Sequence, residues 1–379
     1  SSFAFNPVLA SPEALVRDGL IDAGDLPSRE AFSQGRALYG AAAEVRERLF
    51  SIAHERFRSR GGDEHYEAFC TEHAHWLEEF ALFTALRARF RGSPWPSWPP
   101  GLRDREPAAL DSAREELADE VDRVRFVQYL LHGQWRALRS YCRDRGVALI
   151  GDMPIYVVLD SADVWVAPHC FKLDEEKRPT AVAGVPPDYF SETGQLWGNP
   201  VYRWDVLKEQ GYDWWIRRIR HNLSLYDRIR VDHFRGFVGY WEVPAGEKTA
   251  INGRWVDAPA VDFFESVLRA VPGASIIAED LGVITPDVRE IMDRFRFPGM
   301  KVLVFAFGPE LPSNPYAPHN HEKHCVVYTG THDNNTARGW FEEETTAGDR
   351  ARLASYVGHS VSAETVHRDL VRLALASVG

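Results

Sequence analysis

Three carboxylates stand where short apolar runs of this sequence end. They are Asp232 in Arg230-Val231-Asp232-His233, Glu279 in Ile276-Ile277-Ala278-Glu279-Asp280, and Asp333 in Thr331-His332-Asp333-Asn334. Acids at the ends of three strands can supply one ionised and one protonated carboxyl around a bond. Retaining cleavage of a glycosidic linkage needs that pair roughly 5 to 5.5 Å apart. Strand alternation places Arg230 and Asp232 on one face, so Arg230 can hold Asp232 ionised; the same Arg-x-Asp also fits a structural ion pair. Glu279 follows an apolar run that should raise its pKa and suit it to general-acid work. An Ala-Glu-Asp at a strand end is ambiguous by itself, and Asp280 fits a hydrogen-bond network at a barrel rim. Asp333, next to His332, can hold sugar hydroxyls or cap the next helix.

The elements that must position these acids come in two textures. From about 11 to 142 the pattern is helical, and Leu117, Val121, Val124, Val127, Leu131, Trp135, Leu138 and Cys142 step by three or four residues along one apolar face. Ser112 with Glu115 reads as the capping box that opens this helix, and Gly146 as its left-handed stop. The proline-tryptophan stretch 93–100 reads as a packed corner. After Gly146 come short apolar runs at 147–152, 229–233, 275–280, 301–307 and 325–333. Such runs mark strands buried on both faces of a parallel sheet. Helical connections at 204–227, 258–271 and after Thr285-Pro286 give repeated strand-helix units. The expected fold is therefore α/β, a (β/α)8 barrel whose chemistry sits at the carboxyl ends of the strands. Four of the five runs end in an acid, Asp152 included.

Composition removes several function classes. A length of 379 residues with 45% hydrophobic content can bury a large core. The 44 Lys and Arg against 55 Asp and Glu leave a net charge of -11, which repels phosphate backbones and anionic lipid, so nucleic acid and membrane are not expected partners. No apolar run approaches the ~18 residues of a membrane span. Residues 1–7 lack the features of a signal peptide. The four cysteines, Cys70, Cys142, Cys170 and Cys325, form no Cys-x-x-Cys pair, which points to a reduced, cytoplasmic setting. Twelve Trp within 12% aromatic residues suit stacking on sugar faces, although taken alone core filling is the better account of them.

The stretches RVDHFRGF, IIAEDLG, YTGTHDNNT and AGVPPDYFSETGQLWGNPVYRWD closely resemble the amylomaltases, the disproportionating 4-α-glucanotransferases of the α-amylase clan. SSFAFNP, GDMPIYV and DSADVW extend the resemblance over essentially the whole chain. It implies cleavage of α-1,4-glucan, a covalent glucosyl-enzyme ester, and transfer to an acceptor hydroxyl on glucose or a maltodextrin. By this resemblance Asp232 is the nucleophile, Glu279 the acid/base and Asp333 the transition-state stabiliser, with Arg230 and His332 as sugar-binding neighbours. The segment 184–200 corresponds to a loop over the glucan donor that brings Asp188, Tyr189, Phe190 and Trp197 to the sugar. The expected partners are maltooligosaccharides and α-1,4-glucan. No cofactor and no metal are expected, and the oligomeric state is left open.

The resemblance makes residues 1–145 a helical insertion and 146–379 the catalytic barrel portion. It places two strands and a Ser-Pro-Tyr contact before Ser1 and an eighth strand after Gly379, so the barrel is expected to be incomplete in this chain. Two other signals are set aside. His319, His321 and His324 have a spacing that fits a metal but lie in a polar loop, and Asp174-Glu175-Glu176 lacks the glycine and terminal glutamate of a calcium loop. A hydrolase of the same clan would share all three acids. A noncatalytic glycan binder would have no need of them together.

Overall fold

The computed structural model describes residues 1–28, 37–61, 63–187 and 191–379. The chain divides into two compact units, one of residues 1–149, 156–226 and 241–256, the other of residues 150–155, 227–240 and 257–379.

The first unit is mostly helical. Helices Tyr39–Ser59, Glu64–Arg89 and Ala118–Arg143 supply its long elements. The face read from sequence is the packed one over its first half, where Leu117, Val121, Val124, Val127 and Leu131 are buried. Leu138 reaches solvent. Of these, Val127 and Leu131 join Leu15, Leu49, Phe50 and Phe126 in one hydrophobic cluster. The helix does not open at Ser112. That residue lies inside a separate helix, Pro107–Glu116, and the break falls at Leu117, whose backbone (φ -109°, ψ 22°) leaves the helical region. A capping box needs a non-helical first residue, and here Glu106 occupies that position ahead of Pro107. The stop at Gly146 is present, with φ +69°. The 93–100 stretch is a packed corner. Trp95 and Trp98 are buried, the Trp95 indole N–H donates to Leu159 O at 2.6 Å, and that of Trp98 donates to Ser93 O at 3.0 Å.

Periodicity did not reveal four further strands, β2 (Ala181–Val185), β3 (Gln195–Pro200), β5 (Gly239–Pro244) and β6 (Arg254–Asp257), paired in the order β3-β2-β5-β6; β2, β3 and residues 241–244 and 254–256 belong to this unit. β2 and β3 form an antiparallel hairpin with Gly184 opposite Leu196 and Val185 opposite Gln195. The segment 184–200, expected as loop throughout, is therefore strand at both ends. A side chain at Gly194 would stand 2.3 Å from Val185 O and its φ is +67°, so only glycine closes the hairpin there. The expected helix 204–227 is two, Trp204–Glu209 and Asp213–Leu225, split where Gly211 and Tyr212 both take positive φ.

The second unit carries the five parallel strands expected from the apolar runs: β1 (Ile150–Met153), β4 (Arg228–Val231), β7 (Ile276–Ala278), β8 (Gly299–Val302) and β9 (Cys325–Tyr328). β1, β4 and β7 are hydrogen-bonded in that order, as are β8 and β9. The Ala278 N–H donates to Pro298 O at 2.9 Å and ties β7 to the approach of β8. β7 is buried at every residue, whereas β1 alternates, with Ile150 45% exposed. The fourth run begins earlier than read and its second half is a 3-10 turn, Leu303–Phe305. Leu303, Val304, Ala306 and Phe307 are buried against Trp340, Phe341 and Leu370 all the same. An apolar run states that side chains are inside; it does not choose between a strand and a turn. Helices Ala260–Ala270 and Pro286–Phe295 follow their strands, the latter behind Thr285 and Pro286 as expected.

Candidate active site

Register builds the site. Asp152 on β1 pairs with Arg230 on β4, and Arg230 pairs with Ile277 on β7, so the polar ends of three strands arrive together. Arg230 is buried and forks between two carboxylates: Nη1 donates to Asp152 Oδ1 at 2.6 Å, and Nη2 stands 2.9 Å from Asp232 Oδ1. Its Nε lies 3.3 Å from the Met300 sulfur on β8. A planar guanidinium with all three edges used cannot swing, and it sets the position of Asp232.

Burial raises the Asp232 carboxyl above the usual aspartate range, Arg230 pulls it back down, and Asp152 and Asp333 push it up. The side chain keeps 39% of its surface open to solvent, which leaves it accessible to an incoming group. Arg230 was expected to hold Asp232 ionised; desolvation is the larger influence because the residue sits on a buried strand end.

Glu279 follows β7. Its Oε2 accepts from the His233 N–H at 2.8 Å and its Oε1 from the Leu281 N–H at 2.9 Å. Its pKa is pushed up to about 7, first by burial and next by the neighbouring Asp232 charge, against the two backbone donors. Asp280 turns the other way. Its Oδ1 accepts from the Met300 N–H at 2.6 Å, so it stitches the end of β7 to β8, as the rim-network reading anticipates.

Asp333 and His332 stand on the loop after β9, both about two-thirds exposed. His332 Nε2 is 3.5 Å from Asp333 Oδ1 and 3.7 Å from Asp152 Oδ2. The loop is shaped by Asn334 Oδ1, which accepts from the N–H and hydroxyl of Thr331 at 2.9 and 3.1 Å. The capping alternative for Asp333 does not hold: Thr336 caps the helix that follows, accepting from Gly339 N–H.

Asp232, Glu279, Asp333, Arg230 and His332 thus lie within one unit and are electrostatically linked. Trp197 belongs to β3 of the other unit, 36% exposed, and Asp188, Tyr189 and Phe190 lie outside the described residues. Two participants escaped the sequence reading of the site. Asp152 was visible as a strand-end acid, but its pairing with Arg230 depends on register. The His233 N–H has no sequence signature beyond its place after Asp232. The histidines at 319, 321 and 324 each have a structural partner, Tyr356 hydroxyl, Ser377 hydroxyl and Arg296 carbonyl respectively.

Residues 1–379 match the glycosyl hydrolase family 77 model, described as 4-alpha-glucanotransferase. The chain belongs to this family. The 4-alpha-glucanotransferase of Thermus thermophilus is 47% identical over 362 residues, covering 94% of this chain and 71% of that protein. The 4-alpha-glucanotransferase of Aquifex aeolicus is 45% identical over 380 residues, covering all of this chain and 76% of that one. Among solved structures, an amylomaltase from Streptococcus agalactiae in complex with acarbose superimposes with a TM-score of 0.91 at 35% identity, covering 99% of this chain and 76% of that chain. The fold is accordingly the α/β barrel class of the amylomaltases, and the activity is that of a 4-alpha-glucanotransferase.

Proposed function

We propose that this 4-alpha-glucanotransferase cleaves α-1,4-glucan through a covalent ester on Asp232. A carboxylate oxygen of Asp232 attacks the anomeric carbon as the bond to the leaving 4-oxygen breaks, and Glu279 delivers its proton to that oxygen. An acceptor 4-hydroxyl, from glucose or a maltodextrin, then attacks the same carbon. Its proton passes to Glu279 as the Asp232 ester breaks, so configuration is retained and both carboxyls return to their starting states. Asp333 and His332 would hold substrate hydroxyls, and Arg230 would fix the nucleophile. The observation that carries the reading is a carboxyl pushed up to about 7, Glu279, coupled to a carboxylate clamped by arginine, Asp232. A binder has no use for that asymmetry.

In this reading residues 1–145 are a helical insertion and 146–379 the catalytic portion. Asp188, Tyr189, Phe190 and Trp197 would contact the donor sugar. Maltooligosaccharides are the substrates, in keeping with the names of the relatives. A reduced, cytoplasmic setting is supported by four free thiols. Among the described residues no helix is long and apolar enough to cross a membrane.

An activated substrate tests the roles. Asp232→Asn should form no glycosyl-enzyme from α-glucosyl fluoride, whereas Glu279→Gln should form it at a near-normal rate, because fluoride leaves with little protonation. The reverse pattern would exchange the assignments. A second expectation concerns transfer. Replacing Tyr189 and Phe190 by alanine should raise the glucose lost to water relative to glucan transferred, since the ester would be less shielded. An unchanged ratio in product chromatography would remove these residues from the donor cover.

A further inference from the structure

We propose that His233 is the positioning residue of Glu279, acting through its main-chain N–H and not through its ring. The inference rests on the acid/base assignment of Glu279 made above.

Three backbone groups at the end of β4 and its exit hold Glu279. Val231 O accepts from the Glu279 N–H at 3.0 Å, the His233 N–H donates to Oε2 at 2.8 Å, and the Phe234 N–H donates to the Glu279 carbonyl at 3.2 Å. In an extended strand successive N–H groups point to opposite edges, so two adjacent donors cannot both serve one residue of the neighbouring strand. His233 resolves this by taking left-handed backbone angles, φ 49° and ψ 53°. Non-glycine residues adopt that region rarely, and such outliers persist where the surroundings hold them.

The surroundings here are specific. The next four residues, Phe234–Phe237, form a 3-10 turn that closes with Gly236 N–H on His233 O at 2.9 Å. A Cβ on Gly236 would stand 3.1 Å from His233 Cδ2 and 2.6 Å from Ile155 Cδ1, so the turn packs its bare backbone against the imidazole. Burial pushes the pKa of the ring down to about 4. What reaches the reacting carboxyl is the amide.

The chemistry needs that amide. Glu279 must give a proton in one half of the cycle and take one in the other, so its affinity for the proton has to stay balanced. Burial and Asp232 favour the protonated form; an N–H aimed at Oε2 favours the ionised form and fixes which direction the carboxyl faces. Losing the donor should raise the proton affinity and loosen the aim together.

The full-length protein carrying His233→Ala, His233→Gly or His233→Asn separates backbone from ring. Alanine and glycine delete the same ring and leave nearly the same space, but only glycine enters the left-handed region freely, and asparagine tolerates it. In His233→Ala the alkaline limb of kcat/KM for maltotriose should move up by about half a pH unit or more. Its kcat on maltotriose should fall about tenfold or more. Ester formation from α-glucosyl fluoride should change by less than about threefold, since that step needs little acid. Glycine and asparagine should rescue the limb to its wild-type position. A limb that sits in the same place in the alanine and glycine variants overturns the proposal. If the alanine variant does not melt cooperatively, a displaced limb in either the glycine or the asparagine variant overturns it. Glu279→Gln, measured alongside, keeps the two ideas apart: full maltotriose activity in that variant removes the acid/base assignment, whatever the His233 series shows.

Discussion

At the scale of single residues, the site joins two carboxyls whose surroundings separate them. Asp232 is clamped by Arg230, while Glu279 is half-buried and its carboxyl is pushed up to about 7. A buried carboxyl whose folded pKa lies above its unfolded value near 4.3 binds a proton on folding. Its contribution therefore becomes unfavourable as pH rises from about 4 to about 7, and the penalty is full above 7. Glu279→Gln removes the titration, so its melting temperature relative to wild type should climb across that window, the gain reaching on the order of 2 kcal/mol. Differential scanning calorimetry at pH 4.5 and 8 reads this directly. A difference that stays constant with pH would mean that Glu279 is not strained by its surroundings. The sequence supplied Glu279 and its apolar run. The neighbouring charge and the two backbone donors came only with the strand register.

At the scale of elements, the joint between β7 and β8 decides where the site's wall lies. Asp280 accepts from Met300 N–H, and Met300 in turn lies against Arg230 through its sulfur. This joint has no room to spare. A Cβ on Gly299 would stand 2.5 Å from Asp280 Oδ2 and 2.8 Å from its Cγ. Gly299→Ala should displace the carboxylate from Met300 N–H and cost about 2 kcal/mol, seen as a lower urea midpoint with an unchanged slope. It should also lower kcat by loosening Arg230. Retention of both stability and rate would show that Asp280 adjusts without cost. The parallel strands were legible because a short apolar run that closes on an acid and leads into a helix matches a strand buried on both faces, with its carboxyl end at the working rim. The β2–β3 hairpin was not, because Gly184, Pro186 and Gly194 look like loop residues, and a bulge between Val182 and Gly184 breaks the alternation that marks a strand.

At the scale of the whole molecule, the helical unit should respond to pH in the opposite sense. His73 on helix Glu64–Arg89, His132 on helix Ala118–Arg143 and His221 on helix Asp213–Leu225 are buried or half-buried among Phe69 and Trp76. His73 and His132 have ring centroids 4.9 Å apart. Burial pushes His132 and His221 down to about 4, and His73 below its usual value. Glu72 opposes this for His73 and His132, while Arg136 adds to it at His132 and His75 at His73 and His221. A histidine with a depressed folded pKa contributes stability above its unfolded value of about 6.5, and that contribution is lost as pH falls toward 4. His132→Phe, which keeps the aromatic packing and removes one titration, should flatten the acid limb of the stability curve by on the order of 2 kcal/mol between those pH values. Chemical denaturation at pH 6.5 and 4.5 measures it. A slope equal to wild type would place the acid sensitivity elsewhere.

What the sequence determined by itself was the chemistry and its scaffold class. Asp232, Glu279 and Asp333 each close an apolar run, and runs alternating with helical spacing make parallel strands with working ends. Residue type and local spacing are written along the chain, so periodicity and strand-end placement can be read there. The tertiary structure decided which groups touch. Arg230 meets Asp152 across 78 residues of chain, and His233 reaches Glu279 across 46. Such contacts follow from which strand lies beside which and in what register, a choice made by packing the whole core at once. A one-residue slip would send each of these side chains to the other face without altering a letter of the sequence.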